Sequence, residues 1–440
     1  MIVKVSIRGT RILLLLSFAV VLFLPYYSIR NARAAHALGL NTREGYEQAV
    51  RLEPNDPQNW YLLGRFYLYD FDQPDPDAAL HALLVSRKLD PLSADTLLEL
   101  ATTYDDAGKT PEARAAFNDA KRVYPLSAEV RWRFGNFLLR QNEIPEAFSE
   151  IRRAVELDPK RGAEAFSRCS RVVSDSGEIL DKAIPPVFES YLQILFDLAN
   201  EGKLDTALKV WSRANALPGT VRMDEVSPLA NQLVQSGRGK DAQIFWQQAM
   251  QKLPAPIPPD PAGSVIWDGG FESDFRLAGL GWVYEPQVQG VQIALDKQEK
   301  HSGNQSLRMM FLGKSNVSFA GICHSVVVVP RTEYEFSAWV KTKVLTTEQG
   351  VRFKLESKSG IAVTPELHGD EPWTNLTLRW TAPDSEIAKV CIARYPSGLP
   401  DGDIQGTAWI DDVTLTPVAA ASIATTRGAA NPAAKGHKQK

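Results

Sequence analysis

"LPAPIPPDPAGSVIWDGGFES", Leu253 to Ser273, separates two unlike halves of the chain. Five prolines fall in its first nine residues. Pro254 ends the helical pattern upstream, and "APIPPDP" lacks the N–H donors that a helix needs. Such a run prefers extended, fairly stiff backbone. Before it, apolar residues recur every three or four positions; after it, they alternate. The stretch therefore predicts a short spacer, 255–263, between a helical domain over 40–254 and a β domain over 264–417.

The 440 residues suffice for two or three domains with full cores. A net charge of −3 supplies no basic field for nucleic acid. The cysteines, Cys169, Cys323 and Cys391, are too few for a disulfide scaffold and have no CxxC spacing. Cys323 and Cys391 fall on expected strands of the β domain, and an oxidising compartment would allow them to pair. Cys169 reads as a buried helix residue.

Residues 1–34 stand apart. Lys4, Arg8 and Arg11 precede the apolar run Ile12 to Leu24, the pattern of a signal helix. Continued to Ile29, the segment is just long enough to cross a bilayer, with Tyr26 and Tyr27 at the interface. An uncleaved transmembrane anchor is preferred over secretion after cleavage near Ala34. Both readings put the bulk of the chain outside the cytoplasm, in the periplasm of a bacterium.

The helical half repeats. Pro54, Pro91, Pro125 and Pro159 follow similar lead-ins at spacings of 37, 34 and 34. Within "TLLELATTYDDAGKTPEARAAFNDAKRVYP", Leu97, Leu100, Ala101 and Tyr104 mark one helix, and Ala113, Phe117 and Ala120 the next. Gly108 lies at the turn between them. Trp60, Leu63, Gly64, Tyr67, Ala79 and Pro91 mark the preceding copy, whose turn is lengthened near "DFDQPDPD". Phe134, Gly135, Leu138, Ala147, Ala154 and Pro159 mark the following one. Weaker copies end at Pro218 and Pro254, and between Gly162 and Pro186 the pattern degrades. The repeats resemble the tetratricopeptide family. That resemblance implies an all-α superhelix with a groove for a protein partner. By family geometry the groove residues are Tyr61 and Arg65, Leu98 and Thr102, and Trp132 and Asn136; Trp132 falls outside its helix's packing stripe.

The second half reads as a β-sandwich. In "TEYEFSAWVKTK", Tyr334, Phe336, Ala338 and Val340 alternate with Glu335, Ser337, Trp339 and Lys341. Phe271, Phe336, Phe353, Trp380, Trp282 and Trp373 are expected in the core. "WDGGFES", "GW", "HSGNQSLRM", "VPRTEYEFSAWVK", "EPWTNLTLRWTAPD" and "TAWIDDVTLTP" occur in the order seen in jelly-roll carbohydrate-binding modules, which this half resembles. The resemblance implies a structural Ca2+ where the chain ends meet, with Gly270, Glu272, Ser302, Asp411 and Asp412 as its ligands. It also implies a polysaccharide or oligosaccharide ligand. The outward positions Trp339, Arg352, Lys354, Arg379 and Tyr395 are the candidates to hold it. Asn304, Asn316 and Asn375 start N-x-[ST] sequons. A disordered basic tail is expected over 418–440.

No HExxH, GxSxG or P-loop occurs; "SGRGKDA" from Ser236 shares only Gly-Lys with a phosphate loop and lies in a repeat turn. With anchor, solenoid, spacer, sandwich and tail assigned, no segment remains for a catalytic domain. The sequence thus predicts a multidomain, non-catalytic membrane-anchored adaptor, suited to envelope or exopolysaccharide assembly. The alternative is a purely structural interaction scaffold whose sandwich never meets sugar.

Overall fold

The computed structural model describes residues 7–257, 260, 263–273, 279–284, 289–358 and 360–418. Residues 258–259 and 261–262 of the expected spacer lie outside these. So does the expected tail beyond residue 418. The chain forms two compact units, Met1–Ile194 and Leu195–Lys440. The division falls inside a helix of the last repeats, so those repeats group with the sandwich.

In the first unit, α1 (Ile7–Gly39) leads into α2 (Arg43–Leu52). Three helical hairpins follow: α3 (Pro57–Tyr69) with α4 (Pro76–Leu89), α5 (Ala94–Asp106) with α6 (Thr110–Val123), and α7 (Ala128–Arg140) with α8 (Ile144–Leu157). Each hairpin starts the same way: the side chains of Asp56, Ser93 and Ser127 cap α3, α5 and α7 by accepting backbone N–H groups. Helices within a hairpin approach closely because one contact position is small. A β-carbon at Gly64 would lie 2.7 Å from Leu83 Cγ, and one at Gly135 would lie 2.6 Å from Ile151 Cγ1. Ala101 occupies the same position in the middle copy and is fully buried. The tight turns need a left-handed residue, supplied by Gly108 (φ 69°) and, in the next copy, Asn142 (φ 59°). Phe117, Phe134 and Phe137 join the second and third hairpins, with ring centroids 5.1–6.2 Å apart. The degraded region is a shortened helical pair, α9 (Gly162–Ser170) and α10 (Ser176–Lys182). Cys169 is buried in it, and burial pushes its thiol up to about 12.

α11 (Phe188–Asn200) carries the division between the units. The second unit continues with α12 (Leu204–Asn215), α13 (Met223–Gln235) and α14 (Gly239–Gln251). Ten strands follow among the described residues: β1 (Trp282–Tyr284), β2 (Val291–Asp296), β3 (Ser306–Leu312), β4 (Phe319–Val327), β5 (Glu333–Leu345), β6 (Arg352–Ser357), β7 (Gly360–Val363), β8 (Gly369–Thr381), β9 (Ile387–Arg394) and β10 (Gln405–Pro417). They form two antiparallel sheets, β1-β4-β9-β6-β7 and β2-β3-β10-β5-β8. The period-2 alternation places Tyr334, Phe336, Ala338 and Val340 of β5 in the core between the sheets.

Within this unit the turn before α14 touches the sandwich. A β-carbon at Gly239 would lie 2.7 Å from Glu386 Cβ. The Lys240 backbone N–H donates to Glu386 Oε2 at 3.2 Å, and its ammonium lies 3.6 Å from Oε1. "SGRGKDA" is therefore a docking turn. Gly279 (φ 68°) makes a second close approach, donating its N–H to Asn231 Oδ1 at 2.8 Å. A β-carbon there would stand 2.5 Å from Ala230 Cβ and 2.8 Å from Trp246. Gly279→Ala is expected to cost about 1–3 kcal/mol, from overpacking and from the left-handed backbone. Denaturant unfolding of the variant measures the loss, and proteolysis between α14 and the sandwich should accelerate.

Candidate functional site

The outer face of the β1-β4-β9-β6-β7 sheet is set by alternation. On β9, Val390 and Ile392 point into the core. Lys389, Cys391 and Ala393 therefore face outward, with Tyr395 next in line. On β6, Phe353 and Leu355 are core, and Arg352, Lys354 and Glu356 face outward. Cys323 on β4 and Cys391 on β9 sit directly opposite one another in the register and form a disulfide. Closing a loop with a sequence separation of 68 stabilises the fold by about 4 kcal/mol in the chain-entropy account.

Three of the five expected glycan residues come together here. The Arg352 guanidinium lies 4.8 Å from the centre of the Tyr395 ring, and Lys354 is two residues along the same strand. Arg352 is only 9% exposed, however. Its Nη2 donates to Gln349 Oε1 at 2.7 Å and lies 3.1 Å from Glu366. It is a buried prop under Tyr395 rather than a surface contact. Lys354 pairs with Glu356 at 3.0 Å.

Trp339 and Arg379 lie on the opposite sheet. Trp339 pairs with Asp411 and Asn375 in the β10-β5-β8 register. The His301 imidazole stacks on its indole at a centroid distance of 4.0 Å. Trp373 lies edge-on to the same imidazole at 5.7 Å, so the expectation that it is core is corrected: it alternates outward with Asn375. Arg379 stands opposite Glu335 and lies 3.9 Å from Glu333. The sequence reading passed over Trp409, although the alternation of "TAWIDD" against buried Ala408 and Ile410 marks it as outward. Its indole N–H donates to Asp296 at 3.0 Å, and this bond holds that carboxyl below the usual range.

The chain ends meet as expected. Val265 and Val413 exchange backbone bonds with Leu415 and Gly269, laying the opening stretch along β10. Around Gly270, the atoms Asp411 Oδ1, Glu272 Cγ and Asp412 Oδ1 lie 3.6–3.8 Å from where a β-carbon would stand. The carboxylates of Asp411, Asp412 and Glu272 carry hard oxygen donors of the type calcium takes. They are also engaged: Glu272 accepts from Asn304, Asp411 from the His301 and Ser302 backbone N–H groups, and Asp412 from Ser302 Oγ. Among the described residues, no three such side chains stand in cation-holding geometry. As they stand the carboxylates are taken by these bonds, and Asp412 Oδ2 also lies 2.6 Å from His301 Nδ1. Asp411 is fully buried, and burial raises its carboxyl. Nearby, His324 is buried in the core, where its Nε2 accepts the Trp267 backbone N–H at 3.0 Å. Desolvation pushes this imidazole down to about 4.

Between α13 and the Cys323 side of the sheet, within the second unit, is a cleft of about 490 Å3. Asn231 and Gln235 line it from the helix. Cys323, Ser325, Ile387 and Lys389 line it from the sheet.

In the first unit, Arg65 lies 3.8 Å from Glu99, which also receives Arg133 at 3.6 Å and the Tyr69 hydroxyl at 3.0 Å. Arg133 continues to Glu129, and Glu129 to Arg161. This ladder crosses the first helices of successive repeats. Tyr61 and Arg65 are accessible beside it, with the guanidinium 5.8 Å from the ring. Leu98 and Trp132 are buried at 4% and 7% exposure. The reading of Trp132 as outside the packing stripe is therefore corrected: it packs inward, with Arg161 over its ring at 5.5 Å. Thr102 and Asn136 turn back to the carbonyls of Leu98 and Trp132 on their own helices. The Asn316 side chain, although the residue is exposed, is engaged by the fold: it bonds Ser397 and the buried Arg394.

Residues 98–161 match the tetratricopeptide repeat family. Among solved structures, the CBM22-1 xylan-binding domain from Paenibacillus barcinonensis Xyn10C is 17% identical. The match covers 37% of this chain and 100% of that one, with a TM-score of 0.27. TmCBM61, solved in complex with β-1,4-galactotriose, is 18% identical over 35% of this chain and 99% of that one, at a TM-score of 0.26. YrrB, a TPR protein with an unusual peptide-binding site, is 19% identical over 48% and 94%, at 0.26. Among curated proteins none matches the chain. No residue role is carried over from these structures. The chain joins a stretch matching tetratricopeptide repeats to a β-sandwich of two five-stranded sheets.

Two measurements follow from the buried groups. The unfolded chain takes up the His324 proton near pH 6.5, the folded chain only near 4. The unfolded state therefore holds more protons between these values. Stability contributed by neutral His324 is complete above pH 6.5 and falls as pH drops toward 4, by up to about 3 kcal/mol. His324→Gln, which keeps an acceptor for Trp267, should flatten that part of the stability-against-pH curve. Thiol titration of the denatured, unreduced protein should find one reactive cysteine, rising to three after reduction; three before reduction rules out the disulfide.

Proposed function

We propose that the protein is a non-catalytic, membrane-anchored extracytoplasmic adaptor. Its sandwich holds a glycan and its repeats hold a protein partner, in envelope or exopolysaccharide assembly. The observation that carries the glycan reading is the outward face of β9 and β6. There the Tyr395 ring is propped by Arg352 and flanked by Lys354. An open cleft lies further along the same strand. Sugars stack their apolar ring faces on such rings and spend their hydroxyls on planar polar groups.

The anchor reading is supported by α1. Among the described residues, one helix is apolar enough to span a membrane, Leu14–Gly39. It continues past the small-residue site at Ala34 into packing with α2, burying Ala34 and Ala37 against Ala49. Arg30 donates twice to Glu53 at 2.8 Å. Cleavage near Ala34 would remove that arginine and leave the glutamate unpaired. The scaffold reading is supported by a different observation: the sandwich is docked on the α13–α14 hairpin through Gly239, Lys240 and Gly279, as a purely structural module would be.

Affinity electrophoresis of the protein against a panel of neutral and acidic polysaccharides decides between them. The adaptor reading expects retardation by at least one polymer, weakened about tenfold or more by Tyr395→Ala, the loss typical of a central aromatic contact. No retardation of folded protein by any polymer gives the scaffold reading. For the calcium site, added Ca2+ should raise the melting temperature of the sandwich and EDTA reverse it, with both effects lost in Asp412→Ala. A melting temperature indifferent to both removes calcium from the account.

A further inference from the structure

We propose that the cleft between α13 and the outer face of β4 and β9 binds a carboxylate-bearing sugar chain, and that the helix is one of its walls. This deepens the glycan reading above and rests on it.

The size suits a ligand. About 490 Å3 lies within the range of roughly 300–1,000 Å3 typical of small-ligand sites. The lining has the chemistry that sugars need: its polar groups include the carboxamides of Asn231 and Gln235 and the hydroxyl of Ser325. All three can both donate and accept. Asn231 accepts the Gly279 N–H on its Oδ1, which leaves its amide nitrogen as a donor. That bond also fixes the position of the wall, because the Gly279 backbone can approach the helix only without a β-carbon.

The charge selects among sugars. Among the described residues of the lining, Lys389 is the one ionised side chain and no carboxylate accompanies it. Among the described residues it forms no ion pair. Its cross-strand neighbour Glu356 is engaged by Lys354. Glu386 is engaged by Lys240. An exposed ammonium beside two amides and a hydroxyl is complementary to a uronate: the carboxylate meets Lys389 and the ring hydroxyls meet the amides. The site also has length. Tyr395 lies about 20 Å along the strand from Lys389, a span that a short oligosaccharide can bridge with its charged ring at the helix and another ring at Tyr395; Cys391 and Ala393 between them are buried and give it no contact.

The test uses the full-length protein in affinity gels containing polygalacturonate, polymannuronate or hyaluronan. Methyl-esterified polygalacturonate, xylan and galactan serve as uncharged controls. Retardation by a uronate polymer and little by the controls is expected. Lys389→Met should weaken it about tenfold or more, the scale of a lost charge-assisted contact. Gln235→Ala, on a helix outside the sandwich, should weaken it severalfold. Both side chains are exposed, so melting temperatures should match the wild type and report folding independently. Equal binding of charged and uncharged polymers overturns the choice of uronate. Binding abolished by Tyr395→Ala but untouched by Gln235→Ala and Lys389→Met overturns the helix-walled cleft and leaves the glycan reading standing. If no polymer of either kind retards the protein, the cleft and the glycan reading fail together.

Discussion

The second unit depends on two places where a backbone approaches its neighbour more closely than any side chain allows. Gly239 lies against Glu386 and Val327, and Gly279 lies against Ala230 and Trp246. Neither contact is a large apolar interface. Each works because the glycine has no β-carbon, so that hydrogen bonds to Glu386 and Asn231 can form at the same point. Glycine is ordinarily a weak residue in an ordered element, since it loses more backbone freedom than any other. Here that cost is offset by a contact that alanine would abolish. The hairpin is thereby tied to the sheet, and the cleft beside α13 exists because of it.

Much of this architecture was legible in the sequence. Caps, small contact residues and prolines recur with the repeat, so α3 to α8 could be placed closely. Strand alternation separated core from surface on β5 and β6. Legibility failed where a side chain's surroundings come from a distant segment. Trp132 looked outward because its own helix offered it no partner; Arg161 of the next element supplies one. Trp373 looked like core because it is aromatic, yet the loop bearing His301 folds over the outer face and gives it a neighbour there. The five expected glycan residues came from strands whose membership in one sheet or the other depends on pairing order, which no local pattern reveals. The division at Ile194 was hidden for the same reason: it follows from which surface the last hairpin covers.

The first unit shows how charge supplements packing in a repeat fold. Arg87 with Asp119, Arg114 with Glu146 and Arg140 with Asp105 join residues about one repeat apart. Single exposed pairs of this kind contribute little. The Glu99 carboxylate differs, being almost fully buried between two arginines and a tyrosine hydroxyl. Removing one partner there would leave a buried charge undercompensated, which is far more costly than losing a surface pair. The ladder therefore sets the register between neighbouring repeats, and it leaves Tyr61 and Arg65 as the accessible part of the surface.

The bond between Cys323 and Cys391 also has a mechanical consequence. In the adaptor proposed above, held in a membrane at one end and on a polymer at the other, the chain would be pulled along its length. The residues between the two cysteines, a separation of 68, would release more than 200 Å of extended chain if they unravelled. The covalent bond keeps that length out of reach of the force. It also crosses the floor of the cleft, so the strands bearing Ser325 and Lys389 stay side by side under tension. A tether built in this way yields first elsewhere, and its grip is the last part to deform.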